Sequence, residues 1–262
     1  MATETPTLYI ISTPIGNLED ITHRALRLLG ELKALACEDT RVTRKILSFY
    51  KINKPGIFFS YHEHNEMQSS RRILGLLKDG ISVGLCSNAG TPTISDPGFR
   101  ATQIAIENGF QVVSIPGPSA VTSALAVSGL PANQYTFLGF PPRKSGKRLR
   151  MLEQEAPSIH TLVFYESPYR LAAFLSDALS VLGDRRVAVA IELTKKFEKV
   201  YQGWLSDMLK MFSGETVQGE VTVVIAGNNI KFIRTEEKQT KDSFNAETPL
   251  IIRTHHSGKY RK

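Results

Sequence analysis

The sequence predicts an α/β protein of two domains, an N-terminal one on a parallel five-stranded sheet and a C-terminal one on a mixed sheet. Two observations carry this. Five short apolar runs alternate with helical patterns over the first 130 or so residues, as in a parallel sheet covered on both faces. Beyond a break at Gly129-Leu130-Pro131, strand-like runs follow one another with fewer helices between them. Domains are therefore expected over residues 7–129 and 130–227, followed by a basic, mostly disordered tail over 228–262.

Each element has a local cause. Leu8-Tyr9-Ile10-Ile11 is a continuous apolar run, the pattern of a strand buried on both faces, and Ser12-Thr13-Pro14-Ile15-Gly16-Asn17 ends it. Ile21, Ala25, Leu28, Leu29 and Leu32 recur at helical spacing. Ala34-Leu35-Ala36-Cys37 is the second strand, and Asp39 or Thr40 caps the helix after it. Ile57-Phe58-Phe59 is the third. Asn65 and Gln68 have capping-box spacing for a helix ending at Lys78. The run 81–86 leads into the Pro/Gly-rich loop 87–98, and the next helix stops at Asn108-Gly109. Val112-Val113-Ser114-Ile115 is the fifth strand, and a small-residue helix follows to Ser128. In the second half, strands are expected at 135–138, 161–165, 187–191, 200–202 and 220–226, with a helix over 169–182.

Composition excludes several classes. The 262 residues are 42% hydrophobic and 22% charged, an ordinary globular balance. No apolar run approaches the roughly 20 residues that span a bilayer, and no secretory leader is visible, so a cytoplasmic protein is expected. Cys37 and Cys86 lie in apolar runs and read as small buried hydrophobes of a reduced protein. Of the net charge of +7, residues 227–262 contribute eight Lys/Arg against four Asp/Glu. Local clusters therefore say more about partners than the global charge.

Three polar loops follow strands one, four and five: 12–17, 87–98 and 116–120. If those strands are neighbours, the loops gather at one sheet edge, where α/β proteins bind ligands. Glycine allows close backbone approach there, and neither a dinucleotide glycine fingerprint nor a Gly-x4-Gly-Lys-Ser/Thr phosphate cradle is present. An adenosine-type cofactor held by backbone atoms, without a phosphate, is the inference. Glu38 and Asp39 sit at a strand's carboxyl end, where they could orient a ribose or a nucleophile, or merely cap and pair with Arg41 or Arg44. His62 and His64 alternate onto one face but lack further ligands, so a substrate-facing loop is favoured over a metal site. Arg143, Lys144, Lys147, Arg148 and Arg150 crowd into ten residues; this segment is either a solvated basic loop or a phosphate-backbone contact. Glu166 and the Glu192-Leu193-Thr194-Lys195 stretch follow strands and could act on substrate or form ion pairs.

Taken together, Thr13-Pro14-Ile15-Gly16-Asn17, Glu38-Asp39-Thr40-Arg41, Ser60-Tyr61-His62-Glu63-His64-Asn65, Ala89-Gly90-Thr91-Pro92, Ile94-Ser95-Asp96-Pro97-Gly98, Pro116-Gly117-Pro118-Ser119-Ala120 and Tyr165-Glu166-Ser167-Pro168 resemble the tetrapyrrole methylase superfamily. More narrowly, they resemble its bacterial branch that methylates 16S ribosomal RNA. The resemblance covers residues 7 to about 226. It implies two α/β domains with S-adenosyl-L-methionine bound in a cleft between them, a homodimer, and no metal. It further implies methyl transfer to the ribose 2′-oxygen of a cytidine in 16S rRNA, within the assembled small ribosomal subunit. Pro14, Gly16, Asn88, Ala89, Gly90, Thr91, Pro92, Pro116, Gly117, Ser119 and Ala120 would bind the cofactor. Arg143, Lys144, Lys147, Arg148, Arg150, His62 and His64 would face the RNA. Glu192 or Lys195 would lie nearest the reacting oxygen, with Glu38 and Glu166 behind them. The chain departs from the family pattern at Asn88, Ile191 and Tyr169. A small-molecule methylase and a non-catalytic RNA-binding relative are the alternatives.

Overall fold

A computed structural model describes residues 5–214 and 217–235 and the backbone of 250–253. The first sheet is β1 (Thr7–Ile11), β2 (Ala34–Cys37), β3 (Ile57–Ser60), β4 (Val83–Cys86) and β5 (Gln111–Ile115), in the order β3-β2-β4-β1-β5 and parallel throughout. Helices α1 (His23–Glu31), α2 (Thr40–Phe49), α3 (Glu66–Lys78) and α4 (Phe99–Glu107) carry the crossovers. One face buries Ala25, Leu28 and Leu29 of α1 with Ile46 and Leu47 of α2. The other buries Ile73 and Leu77 of α3 with Ala101 and Ala105 of α4. Each fully buried aliphatic or aromatic side chain contributes roughly 1.5–3 kcal/mol. Two covered faces explain why the strands read as continuous apolar runs rather than alternating ones.

The second sheet is β6 (Tyr135–Phe137), β7 (Thr161–Glu166), β8 (Arg186–Ile191), β9 (Lys199–Trp204), β10 (Val221–Ile225) and β11 (Leu250–Arg253), in the order β11-β9-β8-β10-β7-β6. It is mixed, with β6 and β7 parallel and the remaining pairs antiparallel. Helices α6 (Ser145–Glu155), α7 (Leu171–Leu182) and α8 (Leu205–Phe212) accompany it, and the last two build its main core with Phe164, Val189 and Val223.

Three local readings change. Helix α5 (Ala120–Ser128) packs on β8, β9 and β10, so the compact units are Met1–Ser119 and Ala120–Lys262, with the break before the helix. Gly129-Leu130-Pro131 ends that helix, but a terminator does not tell which sheet buries the helix. The basic stretch at 143–150 is largely the first turns of α6. Asn65 stands at the N-cap of α3, as expected, but its side chain makes no bond to that helix: it accepts from the His62 amide at 2.8 Å and organises the preceding turn, Glu63–Asn65.

A mostly disordered tail was expected from residue 228 on, with 230–233 and 250–252 as the only parts to dock. Those parts are ordered: Ile230–Phe232 forms a turn and β11 pairs with β9. Beyond the expectation, Arg234 bonds to Asp184 and Asp207. The rest of that expectation, 236–249 and 254–262, lies outside the described residues. No helix among the described residues is long and apolar enough to cross a membrane.

Candidate active site

Strand order brings β4, β1 and β5 side by side, so the three polar loops leave from one sheet edge, as neighbouring strands would require. The chain leaves β1 through α1 on one face, and leaves β4 through α4 on the other. That reversal between adjacent strands is the topological switch point at which open α/β sheets bind ligands.

The loops interlock there. The Thr13 amide donates to the Gly90 carbonyl at 2.8 Å, and the Gly90 amide donates back to the Thr13 carbonyl at 3.0 Å. The Ser12 and Thr91 hydroxyls lie 2.7 Å apart. The Thr13 hydroxyl donates to the Ser87 carbonyl at 3.1 Å, and the Ser87 hydroxyl to the Gly90 carbonyl at 3.1 Å. The third loop closes against the first: a Cβ at Gly117 would lie 2.9 Å from that of Ser12, so only glycine fits without a shift. Gly90 has φ of 76°, which glycine adopts without strain. Gly16, Ala89, Pro116 and Gly117 are exposed along this rim, while Pro14, Gly90 and Pro92 are buried, Thr91 is half-buried, and Ser119 is half-buried at the end of the unit. Ala120 already opens α5 of the second unit.

Beside the rim stands a carboxylate pair. The Asn88 amide donates to Glu38 Oε2 at 2.9 Å, tying β2's end to the long loop. Burial, then the nearby Glu38 carboxylate, push Asp96 up to about 6 against the opposing Ser87 hydroxyl. Asn88 Oδ1 is buried with no donor among the described residues. It is an acceptor waiting for an N–H or O–H group. Thr93 and Ser95 have positive φ, as do Glu192 and Thr194 in the second unit, so backbone strain is held both in this loop and in the turn after β8. The far end of the long loop is anchored where the Gly98 amide donates to Glu66 Oε1 at 3.2 Å. Ser12 and Asp96 are the residues that sequence reading left without a role; the signal for Asp96 was its place in the Ile94–Gly98 motif.

Asp96 makes a pH prediction. Its folded-state value is above the ordinary 3.8, so the stabilisation is present below about pH 4 and is lost as pH rises through about 6. Asp96→Asn never ionises. It is expected to gain stability relative to the wild type between about pH 4 and about pH 7, on the order of 1–2 kcal/mol once solvent screening of this half-buried carboxyl is allowed for. Urea unfolding across that range checks this; a constant difference would refute it.

His62 is half-buried and His64 exposed, their rings 6.0 Å apart. Among the described residues, no group of three or more His, Cys, Asp and Glu side chains could hold a metal ion.

The second unit gathers its own charged residues. Glu166 ends β7 and Glu192 follows β8; Val221 of β10 pairs with Glu166 on one side and Ile191 on the other, so both glutamates stand at one edge. Lys195 Nζ lies 2.8 Å from Glu192 Oε1 and 3.1 Å from Glu220 Oε2. The Glu220 amide donates to Glu192 Oε1 at 2.9 Å. Burial pushes the Glu192 carboxyl up, but the hydrogen bonds from Lys195 and the Glu220 amide outweigh it and hold the carboxyl below its usual range. Burial pulls Lys195 down, but the two glutamates outweigh that and raise it. Glu166 is fully buried: Arg170 Nη2 meets its Oε1 at 2.5 Å, while Oε2 is an orphan acceptor. Burial raises its carboxyl above the ordinary range despite the Ser167 amide and the Arg170 and Arg148 guanidiniums.

Arg143, Lys144, Lys147 and Arg150 are exposed on the start of α6 and the segment before it. Arg148, grouped with them by sequence, is not. It is buried, bonding Asp177 of α7 through Nε at 2.7 Å and the Pro142 and Arg143 carbonyls through Nη1 at 3.3 Å each. Helical periodicity turns this one cation inward, so it shapes the segment instead of facing solvent.

A parallel sheet with its switch point at interlocked glycine loops, joined to a mixed-sheet unit, defines a class. Residues 7–209 match the Tetrapyrrole (Corrin/Porphyrin) Methylases, and the chain belongs to that family. Its relatives include Ribosomal RNA small subunit methyltransferase I of Thermotoga maritima, 44% identical over 84% of this chain and 98% of that one. The protein of the same name from Halalkalibacterium halodurans is 43% identical over 86% of this chain and 77% of that one. Among solved structures, uroporphyrin-III-C-methyltransferase from Thermus thermophilus has a TM-score of 0.57 at 20% identity, over 83% of this chain and 93% of that one. The methyltransferase CobJ has a TM-score of 0.64 at 15% identity, over 85% and 95%. These structures share the fold. S-adenosylmethionine is the cofactor of this methyltransferase.

Proposed function

We propose that this protein transfers a methyl group from S-adenosylmethionine to the ribose 2′-oxygen of a cytidine in 16S ribosomal RNA, within the small ribosomal subunit and as a homodimer. The observation that carries the reading is the identity above 40% over most of the chain with relatives named for small-subunit ribosomal RNA. The exposed cations Arg143, Lys144, Lys147 and Arg150 agree with a polyanionic substrate.

The first unit suits the cofactor. S-adenosylmethionine carries no phosphate, which agrees with the lack of a phosphate cradle. Pro14, Gly16, Asn88, Ala89, Gly90, Thr91, Pro92, Pro116, Gly117, Ser119 and Ala120 would hold it, largely through backbone atoms, and Asn88 Oδ1 offers an unused acceptor. When bound, the cofactor supplies an electrophilic methyl on a sulfonium. The chain's own task is to align the acceptor and to take its proton. Glu192, an ionised carboxylate, or Lys195, the ammonium beside it, would lie nearest the hydroxyl that loses its proton. Glu38, with Asp96 near it, and Glu166 are the carboxylates in reserve. His62 and His64 would contact the RNA. The nucleotide must be unstacked to present its ribose, which looped RNA allows at low cost.

The test offers labelled cofactor to isolated small subunits, free 16S rRNA and a tetrapyrrole. Label is expected in RNA of the small subunit, in a cytidine whose 3′ phosphodiester resists alkaline hydrolysis. Label on a base would overturn the 2′-oxygen assignment, and label in the tetrapyrrole alone would overturn RNA as the substrate.

A further inference from the structure

Of the aromatic side chains that the second unit exposes, two stand on the segments that brace its cationic stretch. Phe140 is 59% exposed and Tyr169 88% exposed. They stand on segments fastened to each other. The Tyr165 amide donates to the Gly139 carbonyl at 3.0 Å. The Phe140 ring lies 5.5 Å from that of Tyr165, which packs on Phe137 at 4.9 Å. Arg170 Nη1 reaches the Pro141 carbonyl at 3.4 Å, and Arg148 holds the next two carbonyls. Pro141 and Pro142 restrict the backbone between Phe140 and Arg143. Aromatic faces and the cations Arg143, Lys144, Lys147 and Arg150 are thus presented by a braced segment.

Isolated exposed aromatics need no explanation. Two on the segments that brace four exposed cations, on a scaffold held by a buried ion pair, have the composition of a single-strand nucleic-acid platform, where cations track phosphates and rings stack bases. We infer that Phe140 and Tyr169 form a stacking platform for unstacked bases of the RNA substrate, flanking the reacting nucleotide, while Arg143, Lys144, Lys147 and Arg150 hold its phosphates. This rests on the proposed RNA substrate. Every base has a π face, so the platform is tolerant of sequence. It rejects duplex, whose bases are already stacked.

The test uses the full chain, a single-stranded oligoribonucleotide of about 12 nucleotides, the same sequence as a duplex, and fluorescence anisotropy across a salt series. Phe140→Ala and Tyr169→Ala are each expected to weaken single-strand binding roughly 5- to 100-fold, leaving duplex binding and the salt dependence unchanged. Lys144→Ala and Lys147→Ala should instead each lower the log–log salt slope by about 0.7. Tyr169→Trp should retain affinity, and its indole fluorescence should be quenched by RNA against the buried Trp204. Unchanged affinity in both alanine variants would overturn the platform while leaving the RNA substrate intact. Loss of self-association with unchanged RNA affinity would overturn it too, assigning the patch to a second copy of the chain. Wild-type protein that binds cofactor but no RNA would instead defeat the substrate reading beneath it.

Discussion

Arg148→Ala is expected to cost about 3–5 kcal/mol of stability, because it removes one partner of a buried ion pair. The Arg148 side chain is 5% exposed and Asp177's 18%, joined at 2.5 Å. Alanine leaves the Asp177 carboxylate with only the Ser145 hydroxyl, at 3.0 Å, and strips donors from the Pro142 and Arg143 carbonyls. Arg148→Lys should recover little, since an ammonium cannot reproduce a guanidinium that serves a carboxylate and two carbonyls at once. Urea unfolding measures the loss. Near-wild-type stability, together with a lower salt slope for RNA binding, would return Arg148 to the phosphate contacts that its sequence position suggested.

The second large effect is on rate. Glu192→Gln is expected to lower kcat about 100-fold with cofactor affinity unchanged, the lower end of what a positioned proton acceptor contributes. Glutamine keeps the acceptor that Lys195 and the Glu220 amide use, so the local scaffold survives while the charge is lost. Lys195→Ala separates the two roles. Lys195 helps hold the Glu192 carboxyl below its usual range. Without it, the acid limb of the kcat/KM profile is expected to move to higher pH, because Glu192 then keeps its proton longer. Wild-type rates in both variants would remove this pair from the chemistry and leave Glu38 with Asp96, or Glu166, as the next carboxylates to test.

Most elements were legible because their signals are local. Apolar runs, helical spacing and glycine or proline stops located β1 to β5 and the helices between them, and the family motifs lie in the loops that those runs expose. Helix α6 escaped because a dense cluster of cations reads as a solvated loop, and no side-chain cap announces its start. Helix α8 gave no separate signal within an otherwise strand-rich half. Asn65 was placed correctly at the start of α3, but its side chain serves the His62 amide, since a short polar side chain bonds whichever amide the backbone brings to it.

By itself, the sequence determined the fold class, the three glycine- and proline-rich loops, and the absence of a phosphate cradle, all properties of neighbouring residues. Only the tertiary structure decided which strands adjoin. That order places the loops after β1, β4 and β5 on one edge, and turns separate motifs into the Thr13–Gly90 pair and the Ser12–Gly117 contact. It also decided that α5 belongs to the second sheet and that Arg148 faces Asp177. It half-buried Asp96 beside Glu38, and burial first, then that carboxylate, push the Asp96 carboxyl up to about 6. Chain-distant contacts of this kind depend on which surfaces are buried together, and residue spacing along the chain carries no record of that.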